Sequence, residues 1–363
     1  MASVRVRLAD RSYGIHVGQG IIDHAGDLVA SVCRGRTAAV ITNPTIGNLY
    51  ATSLVESLKK AGISAQVITI PAGERFKSLS TVRRVYDELL NLRIDRSGIV
   101  IGLGGGVVGD LAGFVAATYL RGVDFVQVPT SLLAQVDASV GGKVGVNLPR
   151  GKNLVGAFYQ PKIVVIDTAT LSTLPRREFR CGLAEVIKHG IILDSDYFSL
   201  IENQLPAIRM LEPAVLAQVV EGSCRIKAVV VERDERESGL RAILNYGHTV
   251  GHALESVTKY RLYRHGEAVA IGMVTAGLVG KIMGVASESL VMRVADLIRR
   301  AGLPVKPKES IRPEALLEAM RVDKKVLGGR SRFVLVRAIG DAFVSDQVTP
   351  DTVLTALQEQ MGI

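Results

Sequence analysis

The sequence predicts a two-part fold: an α/β domain built on a parallel sheet, followed by a mainly helical, all-α domain. Three observations lead to this prediction. The length of 363 residues suits two domains, short β-branched runs alternate with helical stretches between Thr37 and Val128, and long segments of helical periodicity follow Pro175. We therefore expect residues 1–174 to form the first domain and residues 175–363 to form the second.

The first domain is predicted to alternate strands with helices. Apolar strands are predicted at 38–42, 66–70, 98–103 and 163–167, and helices near 46–61 and 79–91. Strands that are each followed by a helix imply parallel pairing, with helices on both faces of the sheet.

The second domain carries few strand signals, and its apolar residues recur at helical spacing. Helices are predicted at 180–192, 214–232, 268–283, 290–300 and 313–321. The apolar stretches are either too short for a bilayer or, as at 98–120, interrupted by a charge and rich in glycine. They therefore predict buried core and no membrane segment.

The charge balance indicates the class of ligand. Lys and Arg number 44 against 35 Asp and Glu, a formal net charge of +9, which favours an anionic ligand. Aromatic residues make up only 5% of the chain and tryptophan is absent, so the stacking surfaces of nucleic-acid-binding proteins are missing. We therefore expect a small anionic substrate and no nucleic acid.

Cysteine usage and the N-terminus indicate the compartment. Cys33, Cys181 and Cys224 are an odd number without metal-binding spacing, which favours buried, inert thiols in a reducing environment. The first twenty residues contain charges and no apolar secretory segment. The expected location is the cytoplasm.

A glycine-rich turn joins the strand at 98–103 to a predicted helix. Gly104, Gly106 and Gly109 satisfy the pattern GxGxxG, in which N–H groups at a helix N-terminus approach a pyrophosphate. A glycine-rich turn that only packs a helix on a sheet is the alternative. In the standard dinucleotide fold this turn follows the first strand, whereas here it follows roughly the third, so turns upstream must supply the residue that binds the ribose. The candidates follow earlier strands, although solvated turn residues are the simpler interpretation of each: Asn43, Glu74 and Lys77.

Three of the six histidines, His248, His252 and His265, lie within eighteen residues. His248 and His252 share one face of a helix. Glu185 is the best carboxylate partner, because a buried acid in an apolar helix needs one, and Lys188 lies on its face. Two imidazoles and a carboxylate suit Zn²⁺ with one open position. One histidine should then remain for proton transfer or substrate binding, and the spacing does not determine which.

Isolated cations occur between residues 121 and 153. Lys143 and Lys152 stand beside glycines and near Asp137 and Asn153. Such lysines suit a phosphate or carboxylate held in a pocket, and solvated loop lysines are the alternative. The same alternatives apply to Lys227, Arg241, Lys324 and Lys325.

Six segments together resemble the 3-dehydroquinate synthase family of the shikimate pathway. They are GGGVVGDLAGFVAATYLRG (104–122), QVPTSLLAQVDASVGGKVGVN (127–147), GKNLVGAFYQP (151–161), TLPRREFRCGLAEVIKHG (173–190), LNYGHTVGHALE (244–255) and HGEAVAIG (265–272). The resemblance spans about residues 40–340, and several long segments in the same order make it specific.

The resemblance implies a Rossmann-like domain that binds NAD⁺, a helical domain that binds Zn²⁺ or Co²⁺, and an active site in the cleft between them. The implied substrate is 3-deoxy-D-arabino-heptulosonate 7-phosphate. The implied reaction is a transient oxidation by NAD⁺, elimination of phosphate, reduction, ring opening and an intramolecular aldol closure to 3-dehydroquinate. A homodimer is also implied, with Arg121 near the neighbouring subunit's phosphate site.

The family's functional residues can be carried over by motif. The implied metal ligands are Glu185, His248 and His265, which leaves His252 for proton transfer. The implied NAD⁺ residues are Asn43, Glu74, Lys77, Gly105, Gly106, Asp110, Thr130, Ser131, Thr170, Thr173 and Glu178. The implied substrate residues are Asp137, Lys143, Lys152, Asn153, Lys188, Lys227, Arg241, Asn245 and one of Lys324 and Lys325, of which Lys143 and Lys152 also serve the cofactor.

Three alternatives predict different behaviour. A sister sugar-phosphate cyclase would use the same cofactors on another sugar phosphate, but Lys227, Arg241 and Asn245 favour a carboxylated substrate. A metal-dependent polyol dehydrogenase would accumulate NADH and need no phosphate site. A basic nucleic-acid-binding module would show steeply salt-dependent affinity.

Overall fold

The structure is a computed structural model that describes residues 1–237, 239–326 and 332–362; the side chains of 322–326 lie outside this description. Lys324 and Lys325 therefore fall outside the described side chains. The chain divides into two compact units. Unit 1 contains Met1–Leu174 and Pro213–Arg236, and unit 2 contains Pro175–Glu212 and Glu237–Ile363.

Unit 1 is built on a seven-stranded sheet. Its strands are β1 (Ala2–Val6), β2 (Tyr13–Gly18), β3 (Thr37–Thr42), β4 (Ser64–Thr69), β5 (Ile99–Gly104), β6 (Asp124–Pro129) and β9 (Ile163–Asp167), and β7 (Lys143–Leu148) pairs separately with β8 (Gly151–Phe158). Its α-helices are α1 (Ala25–Val32), α2 (Pro44–Ile46), α3 (Thr52–Lys60), α4 (Leu79–Asn91), α5 (Gly106–Thr118) and α8 (Pro213–Arg233). Shorter 3₁₀ or π segments are Ala9–Arg11, Ile21–His24, Gly47–Ala51, Glu74–Phe76, Tyr119–Arg121, Ala134–Ala138 and Thr168–Thr173.

The strand order of the sheet is β1-β2-β9-β6-β5-β3-β4. β1 runs antiparallel to β2, and the other neighbours are parallel. From β3 the chain moves to β4 on one side and then returns to β5 on the other side. The carboxyl ends of β3 and β5 thus flank a topological switch point, where open α/β sheets bind their ligands.

Helices cover both faces of this sheet, as the alternation of strand and helix predicts. Successive strand residues point to opposite faces. Ala39 and Ile41 of β3 therefore pack with residues of α4 and α5, whereas Ala38 and Val40 pack with residues of α1 and α3. Because helices cover both faces of the sheet, the sequences of these strands are continuous apolar runs.

Helix α8 belongs to unit 1, whereas the sequence analysis places all of 175–363 in the second domain. Its residues contact unit 1 directly: Glu232 Oε1 accepts the N–H of Arg7 at 2.7 Å, and the Cys224 thiol lies 3.4 Å from the carbonyl of Gln135. Helical periodicity predicts the helix at 214–232. The periodicity does not indicate the surface against which this helix packs.

Unit 2 is mainly helical, as predicted. Its helices are α6 (Arg176–Leu193), α7 (Ser195–Arg209), α9 (His248–Val257), α10 (His265–Ile282), α11 (Glu288–Arg300), α12 (Pro313–Val326) and α13 (Pro350–Met361), with a 3₁₀ helix at Leu240–Asn245. The sequence analysis missed one antiparallel hairpin, β10 (Phe333–Ala338) with β11 (Asp341–Ser345). The first four residues of β10 are all buried, so no alternation distinguishes this strand from a buried helical segment.

Helices α9 and α10 approach each other closely because glycines face one another. A β-carbon built on Gly272 of α10 would lie 1.9 Å from the carbonyl oxygen of Gly247, just before α9. Gly251 of α9 would meet the backbone of Ala268 at 3.2 Å. This contact fixes the two helices that carry the histidine cluster.

Among the described residues, no helix combines the length and the apolar character needed to cross a bilayer. The three cysteines are buried and free, as predicted. Burial raises the pKa of each thiol to about 12, so the reactive thiolate is scarce at neutral pH.

We expect Gly272→Ala to destabilise the protein by about 1–3 kcal/mol, because the added methyl group overlaps a backbone carbonyl that cannot rotate away. The matched control is Gly277→Ala on the same helix, where the new β-carbon would lie 3.5 Å from a Val291 methyl group, an ordinary van der Waals distance. Urea unfolding midpoints measure the difference. Equal midpoints for the two variants would contradict the close α9–α10 contact.

Candidate functional site

The carboxyl edge of the unit 1 sheet gathers most of the predicted cofactor residues. Ile41 of β3 pairs with Gly102 of β5. Two residues further along each strand, Asn43 therefore lies level with Gly104. Asn43 caps the helix that follows, because its Oδ1 accepts the N–H of Ile46 at 3.1 Å. Both turns lie at the switch point of the sheet.

The glycine-rich turn begins α5. Gly105 is the N-cap residue and Gly106 the first helical residue, and the N–H groups of a first helical turn have no partner within the helix. A β-carbon on Gly105 would lie 3.4 Å from Ser131 Oγ, so this turn approaches the turn after β6 closely. Gly109 lets α5 approach β6, since its β-carbon would lie 2.6 Å from Gln127 Oε1. The turn fits a pyrophosphate group.

A buried lysine, itself a predicted cofactor residue, joins another predicted cofactor residue to a predicted substrate residue. Lys77 is 4% exposed, and its Nζ lies 2.5 Å from both Asp110 Oδ2 and Asn153 Oδ1. Burial raises the pKa of the Asp110 carboxyl, and the charge of Lys77 opposes that rise. The lysine charge is thus partly balanced inside the cluster.

Asn147 organises this cluster, and the sequence analysis did not single it out. Its Nδ2 donates to Glu74 Oε1 at 2.8 Å, and its Oδ1 accepts the N–H of Asn153 at 2.9 Å. Its own N–H donates to the carbonyl of Lys77 at 2.8 Å. Only the folding of β7–β8 into a hairpin reveals this role, because no local pattern marks Asn147.

The turns after β6 and β9 are joined by one buried amide. Gln135 Nε2 lies 3.3 Å from the carbonyl of Pro129, 3.0 Å from that of Asp167 and 3.1 Å from Thr170 Oγ1. Thr130 and Ser131 follow β6, and Thr170 and Thr173 lie in the 3₁₀ helix after β9. Gln135 therefore holds both predicted threonine turns in register, a role that its sequence context does not indicate.

The predicted substrate residues of unit 1 lie in different places. Lys227 of α8 donates to the carbonyl of Asp137 at 2.5 Å and also contacts its carboxylate. Lys143 pairs with Phe158 at one end of the β7–β8 hairpin, whereas Lys152 lies near the turn at the other end. The hairpin places these two lysines apart from each other.

Glu185 is at the centre of the histidine cluster in unit 2. It lies in α6 and is 0% exposed. Lys188, one helical turn later and 1% exposed, forms an ion pair with Oε2. The contact lacks hydrogen-bond alignment, and neither carboxylate oxygen has a hydrogen-bond partner among the described residues. A buried carboxylate in this state calls for a further cation.

Two imidazoles face the same carboxylate oxygen. Nε2 of His248 and Nε2 of His265 each lie 3.7 Å from Glu185 Oε1, too far for hydrogen bonds. One ligand atom from each of the three residues lies within 4.8 Å of the others. Three ligands at about 2.0–2.2 Å from a tetrahedral zinc ion would be about 3.4 Å apart. The three residues fit such an ion.

The surroundings of His248 favour a neutral imidazole, the form that binds a metal ion. Its Nδ1 lies 3.2 Å from the carbonyl oxygen of Tyr246. Because a carbonyl only accepts, the proton belongs on Nδ1 and the lone pair on Nε2. Burial and the positive charge of Lys188 hold the pKa of His248 well below its ordinary value, which keeps the ring neutral.

His252 and Glu255 complete the cluster. The His252 ring lies 5.4 Å from that of His248 and 6.1 Å from that of His265. Glu255 Oε2 lies 3.2 Å from His265 Nδ1. The sequence analysis missed Glu255, although helical spacing offered a signal: Glu255 follows His252 by three residues and His248 by seven.

The remaining predicted residues of unit 2 lie in the 3₁₀ helix before α9 and in the first turn of α6. Arg241 is 1% exposed, and Asn245 ends the same 3₁₀ helix and donates to Glu237 Oε1 at 3.2 Å. Glu178 lies in the first turn of α6, 3.2 Å from Arg264 Nε. Glu178 is thus the one predicted NAD⁺ residue that belongs to unit 2.

Family models match most of the chain. The model described as 3-dehydroquinate synthase N-terminal matches residues 67–181, and the model described as 3-dehydroquinate synthase C-terminal matches residues 182–326. A 3-dehydroquinate synthase of Synechococcus sp. is 50% identical over 359 residues, with 98% of each chain covered.

Two solved structures have the same architecture as this chain. One is 2-epi-5-epi-valiolone synthase from Streptomyces hygroscopicus with NAD⁺ and Zn²⁺ bound, at 28% identity, a TM-score of 0.88 and 98% coverage of each chain. The other is 2-deoxy-scyllo-inosose synthase complexed with carbaglucose-6-phosphate, NAD⁺ and Co²⁺, at 26% identity, a TM-score of 0.88 and 99% coverage. Since the family models cover more than half of the chain and a full-length relative shares half of its residues, the chain belongs to the 3-dehydroquinate synthase family.

Proposed function

We propose that this chain is a 3-dehydroquinate synthase, a phosphate-eliminating lyase that converts 3-deoxy-D-arabino-heptulosonate 7-phosphate to 3-dehydroquinate and phosphate with NAD⁺ and one divalent metal ion. The observation that carries the proposal is the grouping of Glu185, His248 and His265 beside the buried Lys188. It occurs in a chain that matches this family along nearly its whole length.

The cofactors divide between the units. In unit 1, the glycine-rich turn at Gly105–Gly106 and the polar residues at the carboxyl edge of the sheet would bind NAD⁺. In unit 2, Glu185, His248 and His265 would hold Zn²⁺ or Co²⁺, since the same donor atoms accept both ions. When bound, NAD⁺ supplies a temporary oxidant for one substrate hydroxyl and the metal ion a Lewis acid that acidifies it.

The protein's own groups would bind the substrate and move its protons. Because the hairpin separates Lys143 from Lys152, we assign the phosphate group either to Lys143 or to the adjacent Lys152 and Asn153, since cations and amide donors orient a dianion. A phosphate held in place can itself accept the proton from a neighbouring acidified C–H bond, so orientation supplies much of the rate. Lys188 and His252, beside the proposed metal site, would exchange protons with the substrate hydroxyl.

The substrate's carboxylate separates this reaction from that of a sister cyclase. Arg241 is almost fully buried, and a buried guanidinium suits a carboxylate better than a hydroxyl group. The two sister cyclases are 28% and 26% identical to the chain, against 50% for a 3-dehydroquinate synthase. Both observations favour the carboxylated substrate.

We further propose a homodimer located in the cytoplasm. Arg121 ends a short helix with its φ at +69°, beside the partly exposed Leu120. This turn is a suitable surface through which Arg121 could reach a second copy. The three buried free thiols suit a reducing compartment.

The direct test supplies purified protein with the heptulosonate phosphate, trace NAD⁺ and Zn²⁺. Phosphate release with 3-dehydroquinate and no net NADH is the expected result, because the oxidation is reversed within each turnover. Steady accumulation of NADH would point to a dehydrogenase. Turnover of another sugar phosphate, with none of this one, would point to a sister cyclase.

We expect His265→Ala to lose both metal and activity, because one of three ligands is removed. Zinc content after gel filtration, measured by mass spectrometry, checks this result. The control is His24→Ala, which removes an exposed histidine of unit 1 and should retain one zinc per chain. Full zinc content in His265→Ala would remove His265 from the ligand set.

We expect Arg241→Ala to raise the KM for the substrate roughly 30- to 160-fold, the effect of losing a charge-assisted hydrogen-bonding pair of about 2–3 kcal/mol. The Kd for NAD⁺ should stay unchanged. Because Arg241 is buried, Arg241→Lys provides a second variant that keeps the charge and loses the bidentate geometry. An unchanged substrate KM in both variants would contradict the role of Arg241.

A further inference from the structure

We infer that Glu255 is a positioning residue that holds His265 in the tautomer and orientation needed to bind the metal ion. This inference rests on the metal site of the proposed function and deepens it. Glu255 itself would not touch the ion. It would act through the imidazole of His265.

The contact that carries the inference joins α9 to the first residue of α10. Glu255 is 6% exposed, and its Oε2 lies 3.2 Å from Nδ1 of His265. The other ring nitrogen of His265, Nε2, lies 3.7 Å from Glu185 Oε1. The imidazole thus stands between two buried carboxylates, one at each nitrogen.

The chemistry of these partners assigns the proton. An ionised carboxylate only accepts hydrogen bonds, so Nδ1 of a neutral His265 carries the proton and Nε2 carries the lone pair. That lone pair faces the proposed metal position. A carboxylate hydrogen-bonded to the distal nitrogen of a ligating histidine fixes the ring and increases its basicity.

His248 has the same arrangement with a different acceptor. Its Nδ1 lies 3.2 Å from the Tyr246 carbonyl, and its Nε2 lies 3.7 Å from Glu185 Oε1. Each of the two histidines therefore has an acceptor behind it and the same carboxylate oxygen in front. Glu255 is the counterpart, for His265, of the backbone carbonyl that orients His248.

The same residues permit one competing arrangement. His252, Glu255 and His265 also bring ligand atoms within 4.8 Å of one another, so Glu255 could instead bind a second ion directly. Two observations favour the positioning role. Both oxygens of Glu185 lie buried without hydrogen bonds and require the ion more than Glu255 does, and His252 is exposed.

The test compares Glu255→Ala and Glu255→Gln with the wild-type chain. Glu288→Gln is the control, since it removes the same charge from a side chain that is 76% exposed. Zinc affinity is measured by competition with a chelator, and the visible absorption spectrum of the Co²⁺-loaded protein reports the ligand geometry. Urea unfolding of each metal-free variant shows whether it folds.

We expect Glu255→Ala to bind zinc about 10- to 100-fold more weakly with an altered cobalt spectrum. The loss in Glu255→Gln should be smaller, because the amide oxygen still accepts the Nδ1–H. Glu288→Gln should match the wild type. If Glu255→Ala does not fold, the affinity and spectrum of Glu255→Gln decide the matter.

Wild-type affinity and an unchanged cobalt spectrum in both Glu255 variants would overturn the inference. Two zinc ions per wild-type chain and one per Glu255→Ala chain would overturn it in favour of direct ligation. A wild-type chain that binds no zinc would instead refute the metal site of the proposed function, and the inference with it.

Discussion

Glu185 lies in the otherwise apolar helix α6, and its side chain has no exposed surface. The neighbouring side chains of unit 2 are arranged to balance the negative charge of its carboxylate. A lone buried carboxylate is costly, and one lysine satisfies only part of its capacity to accept. The two imidazoles that face its other oxygen come from different helices. Their positions depend on the glycine contact between α9 and α10, because a wider separation of these helices would move His248 away from His265. The close packing that these glycines permit therefore keeps the two imidazoles near the same carboxylate oxygen.

Unit 1 depends on a different constraint, the direction of its strands. Parallel strands end at one edge of a sheet, so residues distant in sequence meet there whatever lies between them. Asn147, Gln135 and Lys77 then form hydrogen bonds that join residues of different strands, helices and turns. The result is a rigid, polar edge beside a helix N-terminus, which suits an anionic cofactor.

Sequence reasoning succeeded where a local pattern reflects a local cause. Alternating strands and helices, the glycine-rich turn and the buried acid of α6 are of this kind. It failed where the cause is tertiary. The packing of α8 on unit 1 has no signal within the helix itself, and Asn147 becomes significant only when β7 and β8 pair. Spacing also left open which histidines face Glu185. The structure places His248 and His265 there, and His252 beside Glu255.

In the proposed reaction, the substrate is oxidised and then reduced at the same carbon by a cofactor that stays bound. The most direct measurement uses substrate carrying deuterium at the carbon whose hydroxyl is oxidised, with one equivalent of NAD⁺ per chain, and analyses the product by mass spectrometry. We expect the product to retain the deuterium and the recovered NAD⁺ to carry none. Deuterium lost to solvent, or found in free reduced cofactor, would contradict it.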